Sequence, residues 1–86
     1  MLIEKKLSWT EKKYGYLFWH AVDDEQIKAT LNNAKKIDVK IGNKISRARQ
    51  VEFNRRRIYI GSDIKGIDCD IVRISITSKY IDIKCR

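Results

Sequence analysis

The sequence predicts an α+β fold, mainly β: a small single domain, residues 1–86, built as a highly curved antiparallel sheet or partly open barrel of five to six strands with one α-helix at about 24–35. Three observations predict it. From Ile37 onward apolar residues recur with a period of two, the spacing of strands that bury one face. Only residues 22–36 combine a helix start, an apolar stripe at helical spacing and a basic finish. Finally, a chain of 86 residues with 43% hydrophobic content buries only about 60–65% of its unfolded surface. A sheet with one apolar face reaches that burial most simply by curling around it.

The first segment, MLIEKKLSW, has charges and no apolar h-region, so no signal peptide is expected. No apolar run approaches the roughly 18 residues of a membrane span. YGYLFW, residues 14–19, is dense in the aromatics that strands favour. A helix start follows: Asp23 as N-cap, Gln26 three residues on, and Val22 placed to staple against Ile27. Ile27, Leu31 and Ala34 mark one stripe, while Asp24 and Glu25 at the start and Lys35 and Lys36 at the end suit the helix dipole.

IDVKI then alternates, Gly42-Asn43 turns, and ISRARQVEF continues as a longer strand. The apolar phase changes between Val51 and Ile58, which a two-residue turn at Asn54-Arg55 explains. Val51 then lies opposite Ile58, Glu52 opposite Arg57 and Gln50 opposite Tyr59. A final hairpin turning at Ser78-Lys79 pairs Ile76 with Ile81, Ile74 with Ile83 and Val72 with Cys85 on one face. Arg73–Lys84, Ser75–Asp82 and Thr77–Tyr80 share the other. This register sets Cys69 about three residues away from Cys85 along the ladder, so both cysteines are expected as free thiols. Free thiols fit a reducing compartment, and the expected address is the cytoplasm. The absence of proline and the fourteen isoleucines are the residue usage of an AT-rich source, bacterial or phage.

Charge carries most of the functional information. The net +8 is uneven: residues 1–43 hold eight lysines and six acids, residues 44–86 eleven bases and five acids. Arg47, Arg49, Arg55, Arg56 and Arg57 are five of the seven arginines, and Glu52 is the only acid among them. Such a cluster favours a polyanionic partner. Arginine suits phosphate because its planar fork makes two charge-assisted hydrogen bonds, and Tyr59 beside Arg57 adds a stacking surface. The plainer reading is that exposed basic residues keep strand edges from aggregating. Arg73 opposite Lys84 is a second, weaker candidate for an anion, with Asp82 diagonal to Arg73 and able to relieve it.

In KKYGYLFW, residues 12–19, a strand would send Tyr14, Tyr16 and Phe18 to one face and Leu17 and Trp19 to the core. Lys12, Tyr14, Gly15, Tyr16, Leu17 and Trp19 fill a pattern of basic, aromatic, glycine, aromatic, aliphatic and aromatic positions. This stretch resembles the nucleic-acid-contacting strand of RNA-recognition motifs and of cold-shock domains of the OB-fold class. Upstream, Trp9 resembles the lead-in strand of cold-shock proteins. The resemblance covers residues 9–19 and implies that Trp9, Tyr14, Tyr16 and Phe18 stack on bases.

The expected function is therefore a non-enzymatic domain that binds single-stranded DNA or RNA with little sequence preference. The expected contact set is Lys12, Lys13, Tyr14, Tyr16, Phe18, Arg47, Arg49, Arg55, Arg56, Arg57 and Tyr59. The rival is a protein-interaction module, a phage or mobile-element inhibitor or an accessory subunit, docking its basic face on an acidic partner. A free strand edge offers a route to a homodimer. His20, the one histidine, suggests a ribonuclease only if Glu25 or Tyr16 pairs with it and an arginine steadies the phosphorane; a polar residue closing a strand is the plainer reading. One histidine and two cysteines sixteen apart lack metal-ligand spacing, and no glycine-rich phosphate loop or cofactor motif is present. The nucleic-acid reading requires the aromatics and the arginines to share one face.

Overall fold

The computed structural model describes residues 1–86. Seven strands form: β1 Leu2–Lys6, β2 Tyr16–Phe18, β3 Lys36–Ile41, β4 Lys44–Glu52, β5 Arg57–Tyr59, β6 Ile71–Ile76 and β7 Tyr80–Cys85, with two short helices, α1 Trp9–Tyr14 and α2 Asp24–Thr30. The strands join in the order β1-β6-β7-β3-β4-β5-β2 and curl into a half-barrel, an α+β fold that is mainly β. Strand neighbours are antiparallel except β3 and β7, which run parallel. Ile37, Val39, Val51, Ile58, Val72, Ile74, Ile76, Ile81 and Ile83 fill the core side of the sheet, and Ile27 of α2 and Leu31 just after it pack among them. No helix is long and apolar enough to cross a membrane.

The C-terminal hairpin has the expected register residue for residue, Val72↔Cys85 to Ile76↔Ile81. The β4–β5 pairing is also as expected at Val51↔Ile58 and Glu52↔Arg57. Its loop differs: Phe53–Arg55 coil as one 3-10 turn, and Arg56, not Asn54, takes the left-handed conformation at φ 50°. Gln50 and Tyr59 do not pair, because the β4–β5 ladder ends at Val51↔Ile58.

Two expectations about helices are corrected. The helix expected at 24–35 stops at Thr30, since Asn32 and Asn33 both adopt positive φ, 53° and 56°; asparagine tolerates that conformation and so ends helices. Residues 21–23 already coil as a 3-10 turn, which leaves Asp23 without the extended backbone of an N-cap and without a capping hydrogen bond. Val22 points to solvent, 88% exposed, and staples nothing. The second correction is α1, which takes Tyr14 and its cap Gly15 out of the strand expected at 14–19. Ser8 accepts from the Glu11 N–H, Glu11 accepts from the Ser8 N–H, and Gly15 closes the helix at φ 76°. That capping box is legible as Ser8-Trp9-Thr10-Glu11.

Glu11 is buried and fully engaged. Its Oε2 accepts from Lys5 Nζ at 2.7 Å and from the Phe18 N–H at 2.9 Å, and Lys5 Nζ also donates to the Phe18 carbonyl at 2.9 Å. Lys5 lies on β1 and Phe18 on β2, the two ends of the curled sheet. Two side chains thus supply the donor and acceptor that a neighbouring strand would offer, and they close the seam.

Cys69 and Cys85 form a disulfide, with Cα atoms 5.9 Å apart. The expectation of free thiols assumed that Cys69 prolongs the ladder of β6. The strand instead begins at Ile71 after a bend at Asp70, and the bend folds Cys69 back beside Cys85. Free thiols therefore no longer support a reducing compartment.

Candidate nucleic-acid interface

The site starts from alternation along two three-residue strands. Tyr16 pairs with Tyr59, Leu17 with Ile58 and Phe18 with Arg57. Leu17 and Ile58 are buried, so Tyr16, Phe18, Arg57 and Tyr59 stand on the opposite face. The Tyr16 and Tyr59 rings meet edge to face with centroids 5.4 Å apart, and the Tyr16 and Phe18 rings are 6.2 Å apart. The Arg57 guanidinium carbon lies 4.0 Å from the Tyr16 centroid, and its Nε donates to Glu52. Arginines and aromatics thus share one patch.

Arg49 joins from β4 by way of a bulge. Ala48 adopts φ 52°, and its N–H donates to Asp38 Oδ1 at 2.9 Å rather than continuing the ladder. The extra residue flips the phase, so Arg49 lies opposite buried Ile37. From there its guanidinium carbon reaches to 5.6 Å from the Tyr59 centroid, while Nε is buried without a hydrogen-bond partner.

A second aromatic group extends the patch. Lys13 Nζ sits 4.6 Å from the Trp9 centroid and 5.4 Å from that of Tyr14. Both rings are exposed, on the helix α1 rather than on a strand. Gly15 and Gly61 hold this helix end against the end of β5: the Gly15 carbonyl accepts from the Ile60 and Gly61 N–H groups at 2.7 and 3.0 Å. A depression of about 210 Å³ lies across that contact, lined by Lys13, Tyr14, Gly15, Tyr59, Gly61, Ser62 and Lys65.

The remaining expected residues divide. Arg55 is exposed on the β4–β5 loop without an ion pair, and Arg56 approaches Asp24 at 3.8 Å. Lys12 is half-buried in the last turn of α1. Arg47 is not gathered into the patch: it pairs with Asp38 at 3.0 Å and lines a separate depression with Lys40, Ile45, Lys79 and Tyr80. His20 is exposed and caps nothing, and no hydrogen bond ties it to Glu25 or Tyr16. Arg73 does face Lys84, but Glu4 of β1 holds Arg73 at 2.8 Å, while Asp82 serves Lys84 at 3.5 Å instead of Arg73. Ser62 and Lys65 were not foreseen. No local signal marks them, since the distant contact of Gly15 with Gly61 brings them to the site.

Charge pairs set the electrostatics. The Arg57 hydrogen bond holds the Glu52 carboxyl below its ordinary 4.5. Asp24 is held below 3.8, first by the Trp19 indole N–H and then by Lys28; Asp38 is held below 3.8, first by the Ala48 N–H and then by Arg47. Carboxylates depressed in the folded state stabilise it above their unfolded values, and that contribution is lost as pH falls through the folded ones. The urea midpoint is therefore expected to fall progressively below about pH 4. Asp38→Asn should remove part of that fall while leaving the rest.

Comparison with protein-family models, with curated proteins and with solved structures finds no match for this chain.

Proposed function

We propose that this protein binds single-stranded DNA or RNA with little sequence preference. The observation that carries the reading is the stacking of Arg57 on Tyr16 and the approach of Arg49 to Tyr59 within one patch of three aromatic rings. Any base has a face to stack, and each phosphate accepts from a guanidinium without regard to sequence. Arg57 is fixed by Glu52 before any ligand arrives, so little ordering cost falls on binding. Arg55, exposed and without an ion pair on the adjoining loop, adds a charge for phosphate.

Arg55→Ala with Arg57→Ala is expected to weaken binding of a fluorescein-labelled oligothymidylate and a labelled oligouridylate alike. The log–log salt slope should become shallower by about 1.4, the share of two phosphate contacts on a single strand. Tyr16→Ala should cost about 1–3 kcal/mol for the lost stack. Fluorescence anisotropy measures all three. Absence of binding by the unaltered protein at low salt would overturn the reading.

One observation favours a second reading. Trp9 is 69% exposed beside Lys13, and tryptophan is a frequent anchor of protein interfaces. An acidic protein surface is then the partner, its association speeding up at low salt. A partner retained from lysate after nuclease digestion, with no oligonucleotide binding, would favour it.

A further inference from the structure

The nucleic-acid reading leaves open where along the patch a strand is gripped most tightly. Five surface depressions surround the molecule, and four of them contain two carboxylates each: Asp63 and Asp68, Glu4 and Asp23, Glu4 and Asp70, or Asp38 and Asp82. The fifth, between Tyr14 and Tyr59, contains none. Lys13 and Lys65 line it together with the Ser62 hydroxyl, so its charge is wholly cationic and it offers hydrogen bonds suited to an anion. Its walls include two rings and its floor is bare backbone. A Cβ on Gly15 would lie 2.9 Å from the Gly61 carbonyl oxygen, which no side chain fits.

A third cation stands at the rim. A Cβ on Gly61 would lie 3.8 Å from Arg49 Nη1 and 3.5 Å from the Tyr59 hydroxyl, so both groups pack beside that glycine. The buried Arg49 Nε has no partner, and no carboxylate holds this guanidinium. A charge left without a counterion beside an acid-free depression is compensated when an anion arrives. The volume, about 210 Å³, is below the roughly 300–1,000 Å³ that encloses a drug-sized ligand, and matches one ring system with its phosphate.

Building on the nucleic-acid reading, we propose that this depression is the seat of one unpaired nucleotide, its base against Tyr14 and Tyr59 and its phosphate held by Lys13 and Lys65, with Arg49 at the rim. Tyr59 belongs both to this seat and to the Tyr16–Phe18 platform, so the neighbouring nucleotides continue onto Tyr16 and Phe18. The seat anchors one end of the bound stretch.

The test uses the full chain with labelled oligomers of eight thymidylates or eight uridylates, the two arms separating DNA from RNA. Lys13 and Lys65 are exposed, so Lys13→Gln with Lys65→Gln leaves the fold intact by circular dichroism. This pair is expected to weaken binding at least tenfold and to make the salt slope shallower by about 1.4. The control, Lys40→Gln with Lys79→Gln in the depression that holds Arg47, removes the same charge and should stay within twofold of the unaltered protein. Trp9 emission should be quenched by the oligomer, whereas Trp19, buried and bonded to Asp24, stays constant. Equal weakening by both lysine pairs would reduce the effect to net charge and overturn the seat. Unchanged binding by the Lys13 and Lys65 pair, alongside weakened binding in the Arg55 and Arg57 variant, would overturn the seat and leave the broader reading standing. No oligomer binding by the unaltered protein would remove both.

Discussion

Glu11→Ala is expected to destabilise the fold by about 3–5 kcal/mol, the cost of stripping one partner from a buried ion pair. A domain of this length has a total stability of about 4–13 kcal/mol, so the variant should unfold at much lower urea or already be partly unfolded. Three connections fail together. Lys5 loses its counterion at 2.7 Å, the Ser8 N–H loses its capping acceptor at 2.9 Å, and the Phe18 N–H is left unpaired at the edge of β2. Glu11→Gln should fare better than alanine, because an amide oxygen can still accept from backbone while the charge on Lys5 stays unanswered. Urea denaturation followed through Trp19 fluorescence measures the loss. A cost below about 1 kcal/mol would place this ion pair with ordinary surface pairs and refute its role in closing the seam.

Gly15→Ala is the second large effect, expected at about 2–4 kcal/mol. One part is conformational: φ 76° is left-handed, and an L-residue there pays about 1–2 kcal/mol. The other part is contact, since the new methyl would press on the rigid Gly61 backbone at 2.9 Å, an overpacking of about 1–3 kcal/mol. Gly42→Ala separates the two. Gly42 has φ 57° and open space around its Cβ position, so that variant should cost only the conformational part. The excess measured at Gly15 by urea denaturation is the contact. Because the same contact sets Tyr14 beside Tyr59, whatever fraction of Gly15→Ala stays folded should also bind oligonucleotide more weakly. Equal costs at the two glycines would mean that α1 and the end of β5 part easily.

The elements legible in the sequence were those set by local rules. The β6–β7 hairpin could be read to the residue because its isoleucines alternate and its two faces differ in polarity at every pair. The register of Glu52 and Arg57 followed from a change in apolar phase. The start of α1 was equally legible at Ser8 and Glu11, but the aromatic density of residues 14–19 suggested one continuous strand. Bonds between distant parts were not legible. Nothing near Cys69 signals the bend that brings it to Cys85, and nothing near Lys65 signals Tyr14. Arg49 needed the bulge at Ala48, which depends on the Asp38 carboxylate replacing a ladder bond. Of the candidate site, the alternation on β2 and β5 could be read from sequence, whereas the depression at its end required the fold.

The parallel pairing of β7 with β3 makes β7 a keystone. The order β1-β6-β7-β3-β4-β5-β2 means that, through backbone pairing, the β1–β6 pair meets the other four strands only across residues 80–85. Asp38 must wait for Tyr80, roughly forty positions later in synthesis, before its strand gains this neighbour, a separation of the kind that slows assembly. Until then a nascent chain holds an unsheltered β3 edge with Ile37 and Val39 on one side, the kind of exposed strand that chaperones guard. Trimming the chain before Tyr80 would not shorten the sheet; it would divide it.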